Sequence, residues 1–158
     1  MIKAYVFDLS RTLLFPKDKR YGDELNKLYK DLINSPGFKF SDHFYLDEET
    51  INHLQYLKGK CNLYIFTSGF IQNAPEIKPR LDEIFKKVYS AGKMGLNKND
   101  PNAYRELSNK LKIKPYEIVY VDDSELNVKA ARSAGLNAIL FTDFNEVRKR
   151  LDEYLSSN

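Results

Sequence analysis

Three features of this sequence predict an α/β fold, a three-layer sandwich built on a central, mostly parallel sheet with a small helical insert. Short apolar runs alternate with longer amphipathic stretches, which is the pattern of βαβ units. The runs at 3–7 and 118–121 are apolar on both faces, as strands covered by helices on each side must be. The chain has 158 residues and shows neither an internal repeat nor a Gly/Ser/Pro-rich linker, so one domain over 1–158 is expected, with the insert at about 16–58.

The first strand, 3–7, stops at Asp8. Leu25, Leu28, Tyr29, Leu32 and Ile33 then recur at helical spacing until Ser35-Pro36-Gly37 breaks the pattern. The stretch 38–47 is aromatic and irregular, and its rings are read as packing of the insert against the sheet edge. A helix follows with Ile51, Leu54 and Leu57 as its buried stripe and Gly59 as its stop. Residues 63–66 form a second strand. Pro75 and Pro79 make the next segment a broken helix or two turns, and 87–90 is a short third strand.

Asp100-Pro101 begins a helix, because Asp caps free amides and Pro suits the first turn; Tyr104, Leu107 and Leu111 form its stripe. Residues 118–121 make a strand ending at Asp122-Asp123. Ser124 caps a helix that ends near Gly135, 138–141 is the last strand, and Phe144, Val147 and Leu151 mark a C-terminal helix.

Hydrophobic residues are 42% and charged residues 30% of the chain, the balance of an ordinary globular domain rather than a disordered one. No window approaches the roughly 18 apolar residues of a membrane span, and the apolar start runs into Asp8 without a cleavage site, so a cytoplasmic protein with no membrane partner is expected. The single cysteine, Cys61, forms no internal disulfide and offers no thiolate cluster. The 25 Lys and Arg stand against 22 Asp and Glu, a net charge of +3 spread along the chain, and no nucleic-acid partner is expected. The sequence does not fix an oligomeric state.

Ligands of open parallel sheets bind beyond the carboxyl ends of the strands. Asp8, Thr67, the loop bearing Lys98, and Asp122-Asp123 all fall there. Three carboxylates converging at one sheet edge repel one another unless a cation intervenes, and hard oxygen ligands suit Mg²⁺, which also holds phosphate oxygens. A hydroxyl, a lysine, a divalent cation and a carboxylate nucleophile are what phosphoryl transfer to an aspartate requires.

These residues resemble the haloacid dehalogenase superfamily of hydrolases over nearly the whole chain. The first motif is Asp8-Leu9-Ser10-Arg11-Thr12, the second Ile65-Phe66-Thr67-Ser68-Gly69, the third Lys98-Asn99-Asp100-Pro101 with Lys93 as a weaker rival for the lysine, and the fourth Tyr120-Val121-Asp122-Asp123-Ser124 followed by Asn127, Ala130, Ala131 and Gly135. The resemblance implies a Rossmann-like sandwich and a phosphatase in which Asp8 is the nucleophile, Thr67 binds the phosphoryl group and Lys98 offsets its charge. It implies Mg²⁺ held by Asp8, the Ser10 carbonyl, Asp122 and Asp123, with Asp123 favoured as the direct ligand. Ser68 and Arg11 are further candidate substrate contacts. The expected partner is a small phosphorylated substrate or a phosphoprotein.

The sequence departs from the family at Ser10, where phosphatases usually carry the aspartate that protonates the leaving group. Its absence predicts weak turnover of poorly activated esters, since a positioned acid contributes about 10²- to 10⁴-fold. Three readings follow: a phosphatase with weak acid–base capacity, a catalytically impaired protein that binds a phosphorylated metabolite or partner, and, less favoured, a dehalogenase or phosphonatase. The interval between Thr12 and Thr67 is short for a full helical cap, so a reduced cap and an open site are expected.

Overall fold

The computed structural model describes residues 1–157. Five strands, β1 (Ala4–Phe7), β4 (Leu63–Thr67), β5 (Lys87–Ser90), β6 (Ile118–Asp122) and β7 (Asn137–Leu140), form one sheet in the order β5-β4-β1-β6-β7, every pairing parallel. The short segment 87–90 is therefore a true edge strand. β1 lies at the centre, and alternation along it divides the core. Tyr5 and Phe7 join one cluster, Ala4 and Val6 the other, and all four are essentially excluded from solvent.

One cluster holds Ile51, Leu54 and Leu57 of α3 (Glu48–Leu57), Leu81 and Ile84 of α4 (Lys78–Ile84) and Val147 and Leu151 of α7 (Phe144–Ser156). The other holds Ala103, Tyr104 and Leu107 of α5 (Pro101–Leu111) with Val128, Ala130 and Ala131 of α6 (Glu125–Ser133). Helices on both faces of a parallel sheet make the three-layer, Rossmann-like sandwich that the sequence predicts. Each fully buried Leu or Ile contributes about 1.5–3 kcal/mol relative to exposure.

The caps follow local chemistry. Asp47, Asp100, Ser124 and Asp143 each accept a backbone N–H in the first turn of α3, α5, α6 and α7, from Thr50, Asn102, Asn127 and Glu146. Pro79 sits in the first turn of α4, where its missing N–H costs nothing, which resolves the proline-bearing segment into a 3₁₀ turn at Ile71–Asn73 and one short helix. Beyond α6, Gly135 adopts φ +94°, the left-handed conformation that ends a helix.

The insert is less purely helical than its sequence suggests. α1 (Leu25–Leu32) and α2 (Phe40–His43) are joined by an antiparallel pair, β2 (Leu14–Pro16) with β3 (Phe44–Leu46), in the register Phe15↔Tyr45. Three-residue strands carry no readable alternation, and Pro16 argues locally against a strand; the pairing is tertiary in origin. Tyr29 gathers Phe38, Phe40, Phe44 and Phe70 around its ring at 5.7–6.2 Å, so these aromatics pack the insert. Among the described residues no helix is long and apolar enough to cross a membrane.

Candidate active site

Three strand ends meet beyond the carboxyl edge of the sheet. Asp8 follows β1 and is 6% exposed, its N–H donating to the Val121 carbonyl of β6 at 2.8 Å. Thr67 ends β4 at 1% exposure, and Asp122 ends β6 fully buried, with Asp123 half-buried beside it. One carboxylate oxygen from each of Asp8, Asp122 and Asp123 lies within 4.8 Å of the others.

Lys98 enters this cluster from the loop before α5. It is 3% exposed, and its Nζ lies 2.5 Å from Asp8 Oδ1 and 2.8 Å from Asp122 Oδ2. The loop is fixed from below: the Tyr104 hydroxyl donates to the Lys98 carbonyl at 2.7 Å. The rival lysine, Lys93, lies on a separate 3₁₀ turn and lines no part of this cavity.

One lysine among three carboxylates leaves a net negative charge in a desolvated place. Burial pushes the Asp8 carboxyl up to about 7; Lys98 opposes this and repulsion from Asp122 and Asp123 adds to it. Burial also pushes Asp123 up to about 6, with repulsion from Asp122 next and the Lys98 and Arg11 charges acting against it. Lys98 is raised: its burial favours the neutral amine, but Asp8 and Asp122 together outweigh that and hold it protonated.

Asp122 is crowded with donors. Its carboxylate accepts the Ser124 N–H at 2.8 Å, the Asn127 side-chain amide at 3.1 and 3.3 Å, and the Tyr120 hydroxyl. Ser10 also lines the cavity, and its Oγ is enclosed without a hydrogen-bond partner. Arg11 adopts φ +60°, unusual for a side chain of that size, and its Nη2 donates to the Tyr21 and Asp23 carbonyls at 2.9 and 2.8 Å.

The cavity over the cluster measures about 190 Å³ and is lined by Asp8, Ser10, Arg11, Thr67, Ser68, Lys98, Asp122 and Asp123, the candidate residues predicted from the sequence apart from the rival Lys93. It is lined as well by Asn127 and by Glu24, Leu25 and Asn26 at the start of α1. Asn127 was visible only as a member of the fourth motif, and no local signal marks 24–26, which the insert carries there. The aromatic stretch 38–45 contributes nothing to this lining. A larger groove of about 730 Å³ along α7 shares no residue with it and holds no such cluster.

A donor set of three clustered carboxylate oxygens with a residual negative charge fits a hard divalent cation such as Mg²⁺. Comparison with known proteins identifies the family. The family model for haloacid dehalogenase-like hydrolases matches residues 36–135, which include Thr67, Lys98, Asp122 and Asp123. Drimenol cyclase of Aspergillus calidoustus is 28% identical over 130 residues, 72% of this chain and 25% of that protein. Bifunctional epoxide hydrolase 2 of Rattus norvegicus is 32% identical over 73 residues, 46% of this chain and 13% of that protein. The chain thus spans a quarter or less of the length of these curated relatives. In fold it is similar to a haloacid dehalogenase family enzyme of Bacteroides thetaiotaomicron, crystallised with magnesium and inorganic phosphate, at a TM-score of 0.69 and 18% identity over 93% of this chain and 99% of the other. With its strand-end carboxylates and buried lysine in place, and the family model covering well over half of its length, this chain belongs to the haloacid dehalogenase-like hydrolases.

Proposed function

We propose that the chain is a Mg²⁺-dependent phosphatase that works through an aspartyl-phosphate on Asp8. The observation that carries this reading is the placement of Asp8, a carboxylate at the open end of the central strand, held by Lys98 at 2.5 Å in a cavity that also presents Thr67 and Ser68. Asp8, the Ser10 carbonyl and Asp123 would hold the cation. Asp123 is favoured over Asp122 as the direct ligand because the Asp122 oxygens already serve Lys98, Ser124, Asn127 and Tyr120. When bound, Mg²⁺ supplies neutralisation of the clustered charge and of the phosphoryl oxygens.

An Asp8 oxygen attacks phosphorus as the leaving-group oxygen departs on the opposite side. Lys98 offsets charge on the transferring oxygens, and the Thr67 hydroxyl orients them. Water then attacks the phosphorus, frees orthophosphate and restores the Asp8 carboxylate. Ser10 contributes no acid to the first step and no base to the second, so substrates whose leaving groups depart unprotonated are favoured.

The test is Mg²⁺-dependent phosphate release from acetyl phosphate, p-nitrophenyl phosphate and a panel of phosphorylated metabolites. Release that vanishes with chelator and in Asp8→Asn is expected. The substitution at Ser10 favours a second reading, a protein that binds a phosphorylated ligand without turning it over; silence across the panel with retained Mg²⁺ and phosphate binding would select it.

A further inference from the structure

We propose that the start of α1 is clasped onto the site as a fixed wall, and that this wall, together with Ser10, restricts the chain to short acyl phosphates. The inference rests on the phosphatase reading and names its substrate class. Three contacts make the clasp. The Asn26 Oδ1 accepts two backbone N–H groups from the loop after β4, those of Phe70 at 2.8 Å and Ile71 at 2.9 Å. Arg11, from the loop after β1, donates through Nη2 to the Tyr21 and Asp23 carbonyls. Between them, Leu25 is 1% exposed in the core cluster that includes Phe40 and Phe44.

The approach of Asn26 is specified by the sequence at Gly69, where an added Cβ would stand 2.3 Å from the Asn26 amide. Only a residue without a side chain leaves room for this bond. The wall therefore docks on two of the loops that border the site, one after β1 and one after β4. A cap fastened at these two loops does not swing aside for a bulky substrate.

On this side the cavity over Asp8, about 190 Å³, is lined by Glu24, Leu25 and Asn26, so the clasped residues border the space beside the nucleophile. A short acyl leaving group is accommodated beside Glu24 and Asn26, whereas a ring or peptide meets the clasped residues. Ser10 adds the second restriction. With no acid to protonate it, the leaving oxygen departs as an anion, which a carboxylate does readily and an alkoxide does not. The two restrictions intersect at short acyl phosphates.

The transfer balances without a proton donor. An Asp8 carboxylate oxygen forms a bond to phosphorus, the bond from phosphorus to the acyl oxygen breaks, and that oxygen leaves with the electron pair as a free carboxylate. One acyl phosphate replaces another on Asp8. Water attack then breaks the phosphorus–Asp8 bond, its proton passing to orthophosphate or solvent.

Acetyl phosphate and benzoyl phosphate differ in size but little in leaving-group acidity, and glycerol phosphate is small with a poor leaving group. With Mg²⁺, the wild type is expected to cleave acetyl phosphate at least tenfold faster than benzoyl phosphate and at least a hundredfold faster than glycerol phosphate, measured as kcat/KM above the Asp8→Asn background. Asn26→Ala and Arg11→Gln should raise the benzoyl-to-acetyl ratio several-fold. Hydrogen exchange in both variants should quicken in α1, and in Asn26→Ala also at the Phe70 and Ile71 amides, while the central strands stay protected. Equal cleavage of the two acyl phosphates, or a ratio and an exchange pattern unmoved by both variants, would overturn the proposal. Efficient cleavage of glycerol phosphate or of phosphopeptides alone would sink it while leaving the phosphatase reading intact, and absence of Mg²⁺-dependent release from every compound would remove both.

Discussion

Lys98 Nζ sits 2.5 Å from Asp8 Oδ1, and both side chains are almost wholly removed from water. The same ammonium reaches Asp122 at 2.8 Å, so one cation holds two carboxylates from neighbouring central strands. Removing the shared ammonium from this arrangement leaves two buried carboxylates without their counter-charge and costs about 3–5 kcal/mol. Lys98→Met is therefore expected to lower metal-free stability by that amount at pH 8 in urea denaturation. Adding Asp8→Asn to it should recover a large share, because the two positions are in contact and their effects do not add. Additive losses would show that the pair is not coupled.

The position of Asp8 makes stability depend on pH in the metal-free protein. An unfolded aspartate titrates near pH 3.9, while burial holds Asp8 up at about 7 in the fold. Between those values the native state binds the extra proton, so unfolding free energy falls as pH rises, and the loss is complete above about pH 7. Asp123, raised to about 6, acts in the same direction over a narrower window. Asp8→Asn should match the wild type near pH 4 and become progressively more stable than it up to about pH 7, in chelator. Saturating Mg²⁺ should shrink that advantage. A difference that stays flat from pH 4 to 8 would show that Asp8 does not titrate there.

Tyr104 links the helical layer to the chemistry. Its ring lies 5.7 Å from Phe66 and 5.0 Å from Tyr120, and its hydroxyl donates to the carbonyl of Lys98. Tyr104→Phe keeps the packing and leaves a buried carbonyl without that donor, at a cost of about 1–3 kcal/mol. The expected result is a lower denaturation midpoint together with reduced kcat, as the Lys98 loop loses its support. Unchanged kcat with lowered stability would confine Tyr104 to the core.

The sheet and the strand-end residues were legible because each is encoded locally. The unbroken apolar runs before Asp8 and Asp122 require burial on both faces, and Asp100-Pro101 and Ser124 announce their helices by cap chemistry. The β2–β3 pair was not legible, since three residues give no period and the pairing depends on where residues 44–46 are carried. Nor was the wall at Glu24–Asn26, because its position is set by contacts between Asn26 and a loop some 44 residues distant in sequence. Arg11 was read as a candidate phosphate contact. In the fold its Nη2 is occupied by two carbonyls, a role that nothing in the motif foretells.

Ser10 offers the most direct test of how this site departs from its family. Its hydroxyl is enclosed without a hydrogen-bond partner, and Ser10 lines the same cavity as Asp8, Arg11 and Thr67. A carboxyl group at this position would reach the leaving-group side without touching the cation ligands, since the proposed contact of Ser10 to Mg²⁺ runs through its backbone carbonyl. Ser10→Asp is therefore expected to raise kcat/KM for alkyl phosphates by about 10²- to 10⁴-fold, the contribution of a positioned acid, and to change acetyl phosphate cleavage far less. The gain should carry a pH dependence that the wild type lacks, because the new carboxyl must be protonated for the first step. A fourth carboxylate also adds repulsion to the cluster, so the variant should be less stable without Mg²⁺ and regain stability when it is added. If Ser10→Asp binds Mg²⁺ and still cleaves no alkyl phosphate, the limitation lies in the clasped wall rather than in the missing acid, and combining it with Asn26→Ala separates the two.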